Sequence, residues 1–352
     1  MSELLRIAVG VIAVVVVVML NTVFVMWLER KFLGHLQSRR GPMRTGYHGL
    51  LQPFADALKM LGKEDLVPAG ADRGLFMVAP LIAFTPAILI YAAMPWAEQF
   101  AGASSEIGLF MLFAIAALFP VGIVVAGWAS HNKYSLIGGV RAAAQQVSYE
   151  VPLLLSVAGV VMLAESMRLS DIVEAQTGVW NIVTQPLGFL IFFIGMLAEL
   201  NRVPFDLPEA ESELVSGFNT EYSSMRFALF FLAEYMNVFT WSLIGAIVFL
   251  GGWSGPLLPG IVWLGLKTYA MILLVFWVRG TFPRVRVDQL LAVSWKVLLP
   301  AALAGAMITA VGIVLGPGFL VSLQVAAAVA LGWVIAKLGA EAGDEARAVA
   351  RL

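Results

Sequence analysis

Between Leu197 and Ser223 lie six carboxylates, Glu199, Asp206, Glu209, Glu211, Glu213 and Glu221, with Arg202 as the only cation among them. The whole chain has 23 acidic residues in 352, and long apolar runs flank this stretch on both sides. Carboxylates crowded at a low-dielectric boundary raise one another's proton affinity and titrate as a coupled set. That chemistry stores and passes protons. The competing reading is a solvated acidic loop. Glu199 closes an apolar run, and Pro204 and Pro208 stiffen the chain beyond it, which favours the first reading.

Three further constellations carry charge to the edges of apolar runs. Glu29-Arg30-Lys31 closes the first run. A stop-transfer cluster explains its cations but not Glu29. Arg141, Gln145 and Ser148 share one helical face, and Glu150 follows at the start of the next run. Pro152 has no N–H for the carbonyl of Ser148, so an acceptor is freed beside Glu150, a place for bound water. Glu234 stands about two turns inside an apolar run, where an unpaired carboxylate costs about 2.5–3.5 kcal/mol on insertion scales. Lys267 is similarly deep in the following run, and whether the two pair is open at this level.

The elements that must position these groups are membrane helices. The chain is 60% hydrophobic and 13% charged, with mean hydropathy +0.88, against about 25% charged in soluble domains. The expected fold is an all-α integral membrane protein, a single polytopic domain over residues 1–352. There is no cysteine, and the three histidines, His35, His48 and His131, are scattered. Thiolate-held iron–sulfur clusters and Cys-type zinc sites are therefore excluded within the chain. Any redox centre must belong to another subunit. The net charge of −1 gives no reason to expect a nucleic-acid partner.

Ile7 to Leu28 is long enough to span a bilayer, at roughly 33 Å of helix, and lacks the small-residue cleavage site of a signal peptide. Further spans are expected at Leu75–Trp96, Ile107–Trp128, Ser148–Leu163, Pro186–Leu200, Phe227–Leu250 and Pro259–Val278. The run from Val297 to Ala336 divides at Gly316-Pro317-Gly318. The count is nine. Of the 22 cations, all but Arg6, Arg168 and Lys267 fall in alternate loops and the C-terminal tail, which puts those loops in the cytoplasm. The polar groups thus gather on one side, as around a cavity opening to the cytoplasmic face and capped by a partner. Gly49 to Gly62, in the first of these loops, reads as an amphipathic interfacial helix. Leu50, Leu51, Phe54, Leu58 and Leu61 form its apolar stripe, and Gln52, Asp56, Lys59 and Lys63 its polar one.

These residues carry a strong resemblance. Glu-Arg-Lys at 29–31, Gly-Pro at 41–42, Gly-Leu-Leu-Gln-Pro-Phe-Ala-Asp-Ala-Leu-Lys at 49–59, Ser-Tyr-Glu at 148–150, the acidic motif at 199–222 and Trp-x-Arg-x-x-x-Pro-Arg-x-Arg-x-Asp-Gln-Leu at 277–290 resemble the H subunit of NADH-quinone oxidoreductase, the quinone-chamber membrane subunit of respiratory complex I. The family core is expected over residues 1–300, an eight-helix core with one added C-terminal helix. Residues 301–352 then hold the last two spans and a tail of mixed charge.

The resemblance implies a chain that binds no cofactor, with quinone as substrate and flavin and iron–sulfur clusters in partner subunits. It implies a large complex in the cell inner (plasma) membrane, with peripheral quinone-site subunits and membrane-arm subunits as partners. Quinone would enter from the bilayer between the first span, the amphipathic helix and the sixth span. Residue by residue, it assigns the quinone channel to Arg30, Phe54, Asp56 and Arg279. It assigns proton path and coupling to Glu29, Glu150, Glu199, Arg202, Asp206, Glu209, Glu211, Glu213, Glu221 and Glu234. The alternatives are the homologous membrane subunit of an F420- or ferredoxin-linked dehydrogenase or energy-converting hydrogenase, a stand-alone proton-coupled carrier, and a passive structural anchor. The complete pattern at 49–59 favours the quinone enzyme over the hydrogenases.

Overall fold

The computed structural model describes the backbone of residues 3–96, 105–208 and 211–349, and the side chains of residues 10, 12–96, 105–208 and 213–338. Glu209 and the side chain of Glu211 lie outside the described residues. All regular elements described are helices: α1 Glu3–Leu36, α2 Gln52–Leu61, α3 Arg73–Ala93, α4 Gly108–Ala116, α5 Phe119–Ala129, α6 Lys133–Ala164, α7 Leu169–Ala175, α8 Asn181–Thr184, α9 Pro186–Glu199, α10 Glu211–Leu214, α11 Ser224–Phe249, α12 Gly260–Thr281, α13 Val287–Val293, α14 Leu299–Leu315 and α15 Pro317–Val349. Among the described residues, eight helical segments are long and apolar enough to cross a membrane, and the apolar α9 is shorter, at 14 residues.

Two expected boundaries move. The expected loop between the third and fourth spans shrinks to Ser130–Asn132, and residues 133–147 form the first half of a single 32-residue α6. Asn132 caps that helix through Oδ1, which accepts from the Tyr134 N–H at 2.9 Å. Gly138 and Gly139 let α6 pass close to the 217–218 backbone and to α5. The third span is two helices, α4 and α5, parted at Ala117–Leu118 ahead of Pro120. There the proline's missing N–H and the clash with the preceding turn interrupt the ladder.

The carbonyl freed by Pro152 is filled by a side chain. Ser294 Oγ donates to the Ser148 carbonyl at 2.5 Å, and Trp295 Nε1 donates to Ser148 Oγ at 3.1 Å. Ser294 opens a π-helical turn, Ser294–Leu298, that joins α13 to α14. The expected water site is thus an interhelical contact. Ser294→Ala should leave the carbonyl without its donor and destabilise by about 1–3 kcal/mol. Thermal unfolding of the purified complex measures this, and an unchanged midpoint would mean that the hydroxyl contributes nothing there.

α11 is the most buried of the spans. α3 packs on α5 and α11, and α6 packs on α5, α9 and α14. α2 leans on α1 and α11. Of the polar residues singled out in the sequence, Glu29, Arg202 and Glu234 meet where the last turns of α1, the turn after α9 and the N-terminal half of α11 come together.

Candidate functional site

The site begins at the end of α9. Leu200 completes the helix, and Asn201 adopts φ 49°, a left-handed conformation that asparagine tolerates better than most residues. The chain then doubles back, with the Phe205 N–H donating to the Arg202 carbonyl at 2.8 Å. Gln145 of α6 clamps this turn. Its Nε2 lies 2.7 Å from the Ala198 carbonyl, 2.8 Å from the Phe205 carbonyl and 3.0 Å from Asn201 Oδ1. Gln146 Nε2 donates to the Glu199 carbonyl at 3.2 Å. Both glutamines are buried.

The clamped turn presents Arg202 to two carboxylates from other helices. Arg202 NH1 lies 3.9 Å from Glu29 Oε1 and NH2 lies 4.0 Å from Glu234 Oε2. Glu29, Arg202 and Glu234 are all buried. Arg279 of α12 makes a direct ion pair with the same Glu29 oxygen. The Arg202 guanidinium also stacks on Tyr235, 4.6 Å from the ring centroid, where the negative face of the ring favours a cation. Two buried carboxylates and two guanidiniums are thus joined through three helices and a turn. With all four ionised the cluster is neutral, which offsets the desolvation that a lone buried charge would suffer.

Among the described residues, the remaining acids of this stretch do not form one crowded set, and this corrects the sequence expectation for them. Glu199 is buried, with half-buried Glu150 as its charged neighbour. Asp206 accepts from Arg284 at 3.1 Å. Glu213 is exposed and accepts from Arg141 at 2.5 Å. Glu221 accepts from Asn132 Nδ2 at 2.7 Å. Each of these loop carboxylates is met by a group from a distant segment, so the described acids divide into separate pairs. Next to Glu221, burial pushes the Tyr222 phenol above its ordinary range, opposed by the Ser130 hydroxyl and Arg226.

Lys267 does not pair with Glu234. Its Nζ donates to the carbonyls of Gly252 at 2.9 Å and Ser254 at 2.7 Å, beneath the Trp180 ring. The reason is axial offset: α11 and α12 are antiparallel. Glu234 lies 15 residues from the Phe249 end of α11, and Lys267 lies 7 residues from Gly260. That separates them by about 12 Å along the bundle at 1.5 Å per residue.

Beside the cluster, α1, α2 and α11 enclose a cavity of about 540 Å³. Its wall is mostly apolar: Met19, Val23 and Met26 from α1, Phe54 and Ala57 from α2, Phe227, Ala228 and Phe231 from α11. Arg30, Asp56 and Lys59 supply the charge. Arg30 NH1 donates to Asp56 Oδ2 at 2.5 Å, while Gln52 links Asp56 to Thr45. α2 thus turns Asp56 inward together with Phe54, Ala57 and Leu61, while Leu50, Leu51 and Leu58 are exposed. The far end of α2 is tied to α11, where Ser224 Oγ donates to the Met60 carbonyl at 3.0 Å. Of the four residues assigned to a channel, Arg30, Phe54 and Asp56 line this cavity. Arg279 belongs to the Glu29 cluster instead. A cavity of this size and lining suits a largely apolar ligand carrying a few polar atoms.

Sequence reasoning missed Tyr235 and the clamping role of Gln145. Tyr235 adjoins an intramembrane carboxylate, which was a signal available in the chain. The apolar cavity wall gave no signal, because a methionine facing a cavity reads like one facing lipid.

Comparison with known proteins groups the chain with one family. The family model described as NADH dehydrogenase matches residues 9–310, ending inside α14. The chain is 52% identical over 308 residues to the NADH-quinone oxidoreductase H subunit of Geobacillus thermodenitrificans, covering 86% of this chain and 93% of that protein. It is 48% identical over 300 residues to the H subunit of the same enzyme from Dehalococcoides mccartyi, covering 85% of each. It is 52% identical over 293 residues to the H subunit from Brevibacillus brevis, covering 82% and 87%.

Proposed function

From the premise that the chain belongs to the NADH dehydrogenase family, whose relatives here are NADH-quinone oxidoreductase H subunits, we propose how its own residues serve quinone access and proton coupling. The chain is a membrane subunit of this proton-translocating oxidoreductase and carries no redox centre of its own. Electrons reach quinone from a partner subunit. Reducing a quinone to a quinol takes two electrons and two protons, so charge and proton occupancy near the site must change together.

The cavity between α1, α2 and α11 serves as the path by which quinone leaves the bilayer. Its apolar wall accommodates the isoprenoid tail, and the Arg30–Asp56 pair offers donors and acceptors to the head as it passes. The cluster beside it converts reduction into a shift of charge. Arg202 is shared between Glu29 and Glu234, so a proton gained by either carboxylate moves the guanidinium's attraction to the other. Glu199 and Glu150 extend the path, because a coupled carboxylate pair responds to a neighbouring charge over several pH units. Asp206, Glu209, Glu211 and Glu221 carry it onward along the loop towards the membrane-arm subunits, with Glu213, exposed and paired with Arg141, at its edge. These loops face the cytoplasm across the plasma membrane, a placement supported by the cation bias.

The observation that carries this proposal is the buried Glu29–Arg202–Glu234 bridge next to the apolar cavity. Glu199→Gln and Glu213→Gln test the path. Glu199→Gln should lower quinone-linked turnover and proton pumping by about 10²-fold, the scale of a positioned proton transfer. Glu213→Gln should cost less than about fivefold, since an exposed ion pair is worth at most about 1 kcal/mol. NADH oxidation with a soluble artificial acceptor should be unchanged in both. Full pumping by Glu199→Gln would reduce these carboxylates to structural groups.

A further inference from the structure

Past the membrane end of α1, the chain folds back over the helix and leaves an open cleft of about 410 Å³. Its wall includes Lys31, His35, Arg39, Arg40 and His48, and among the described residues no acidic one lines it. Gly41 makes the close approach possible, since a side chain there would press on the backbone of Arg30 and Lys31. Gly49 completes the return at φ 77°, a conformation open to glycine without strain. We infer that this cleft holds the phosphate of an anionic phospholipid headgroup, a site separate from the quinone cavity, whose walls are α1, α2 and α11.

Depth favours a lipid over other anions. Trp27 Nε1 donates to the His48 carbonyl at 3.2 Å, so the returning loop is tied level with the last apolar turn of the first span. Lys31 lies one turn beyond Trp27 and His35 two turns beyond, about 6 and 12 Å along the axis. The headgroup layer is about 5–8 Å thick on each side of the hydrocarbon. The floor of the cleft therefore sits at headgroup depth and its rim just above. The Tyr47 ring is 85% exposed beside His48, as an aromatic at a membrane–water boundary would be. Arg39 and Arg40 are exposed and reach over the rim. Basic pockets at this level bind anionic headgroups.

The test uses the whole purified complex, reconstituted in phosphatidylcholine vesicles with a photoactivatable phosphatidylglycerol or, separately, a photoactivatable phosphatidylcholine. The anionic probe should label residues 31–48 and the neutral probe should not. Arg39→Gln with Arg40→Gln should lower that labelling by about 25-fold, at about fivefold per cation removed near a membrane surface. Raising salt should weaken it in the wild type. Equal labelling of variant and wild type overturns the inference. Displacement of the label by equimolar inorganic phosphate assigns the cleft to a free anion and overturns the lipid. A wild-type cleft that takes label only after a neighbouring subunit is stripped away assigns it to an acidic protein surface, with the same consequence.

Discussion

Replacing Arg202 by leucine is expected to reduce quinone-linked turnover by about 10²- to 10³-fold, while NADH oxidation with a soluble artificial acceptor persists. The scale follows from geometry. Arg202 is buried between Glu29 and Glu234, and removing one partner of a buried charge set costs about 3–5 kcal/mol because the others are left uncompensated. Glu29 keeps Arg279, and Glu234 loses its Arg202 contact. Adding Glu234→Gln to Arg202→Leu should therefore recover assembly of the complex without recovering turnover. That pair of outcomes separates a charge relay from a charge that only holds helices together. Arg202→Lys should assemble well and still turn over slowly, because an ammonium cannot present a planar fork to both carboxylates or stack on Tyr235 in the same way. Turnover of Arg202→Leu within about twofold of wild type, less than the smallest loss that removing a buried charge partner predicts, would remove the bridge from the mechanism.

Much of this site was legible because membrane chemistry makes charge conspicuous. Glu29, Arg202 and Glu234 stood out in the sequence as ionisable groups at the ends of, or inside, apolar runs, and the structure brings them together. The short helix at residues 52–61 was visible from its two-sided pattern. What the pattern concealed was which way that helix turns. Asp56 faces Arg30 and shares the cavity wall with Phe54 and Leu61, while Leu58 is exposed, a placement set by a tertiary ion pair rather than by periodicity. The same limit explains the acidic loop. Local crowding in sequence predicted shared protons, but Arg141, Arg284 and Asn132 arrive from elsewhere in the fold and take Glu213, Asp206 and Glu221 one by one. The continuous α6 was hidden because its first half is polar enough to read as a loop, and Gly138 and Gly139 look like breakers when their close packing is unknown. Pro152 freed a carbonyl as expected, but its partner Ser294 lies 146 residues away, beyond any local rule.

The family resemblance places an entrance between these three helices, and the cavity found there, lined by Arg30, Phe54 and Asp56, yields the second large expected effect. Ala228 lies on α11 and lines the space between α1 and α2. Tryptophan at this position must project into that space, since α11 is packed on its other faces against α3 and α12. Forcing a large side chain into an occupied volume costs about 1–3 kcal/mol, so the KM for a long-tailed quinone should rise about 5- to 150-fold with the iron–sulfur clusters still fully reducible by NADH. A short-tailed quinone should be affected less, because once its head has passed, no long tail remains lying in the narrowed passage. Leu229→Trp is the control. Leu229 is the neighbour of Ala228 on the same helix but not part of the cavity wall, so a general disturbance of α11 would lower turnover in both variants alike. Equal loss with long- and short-tailed quinones, or equal loss in the Leu229 control, would mean that quinone does not travel through this cavity. The apolar space would then be a lipid-filled groove, and Arg30 and Asp56 would be a pair that fastens α2 to α1.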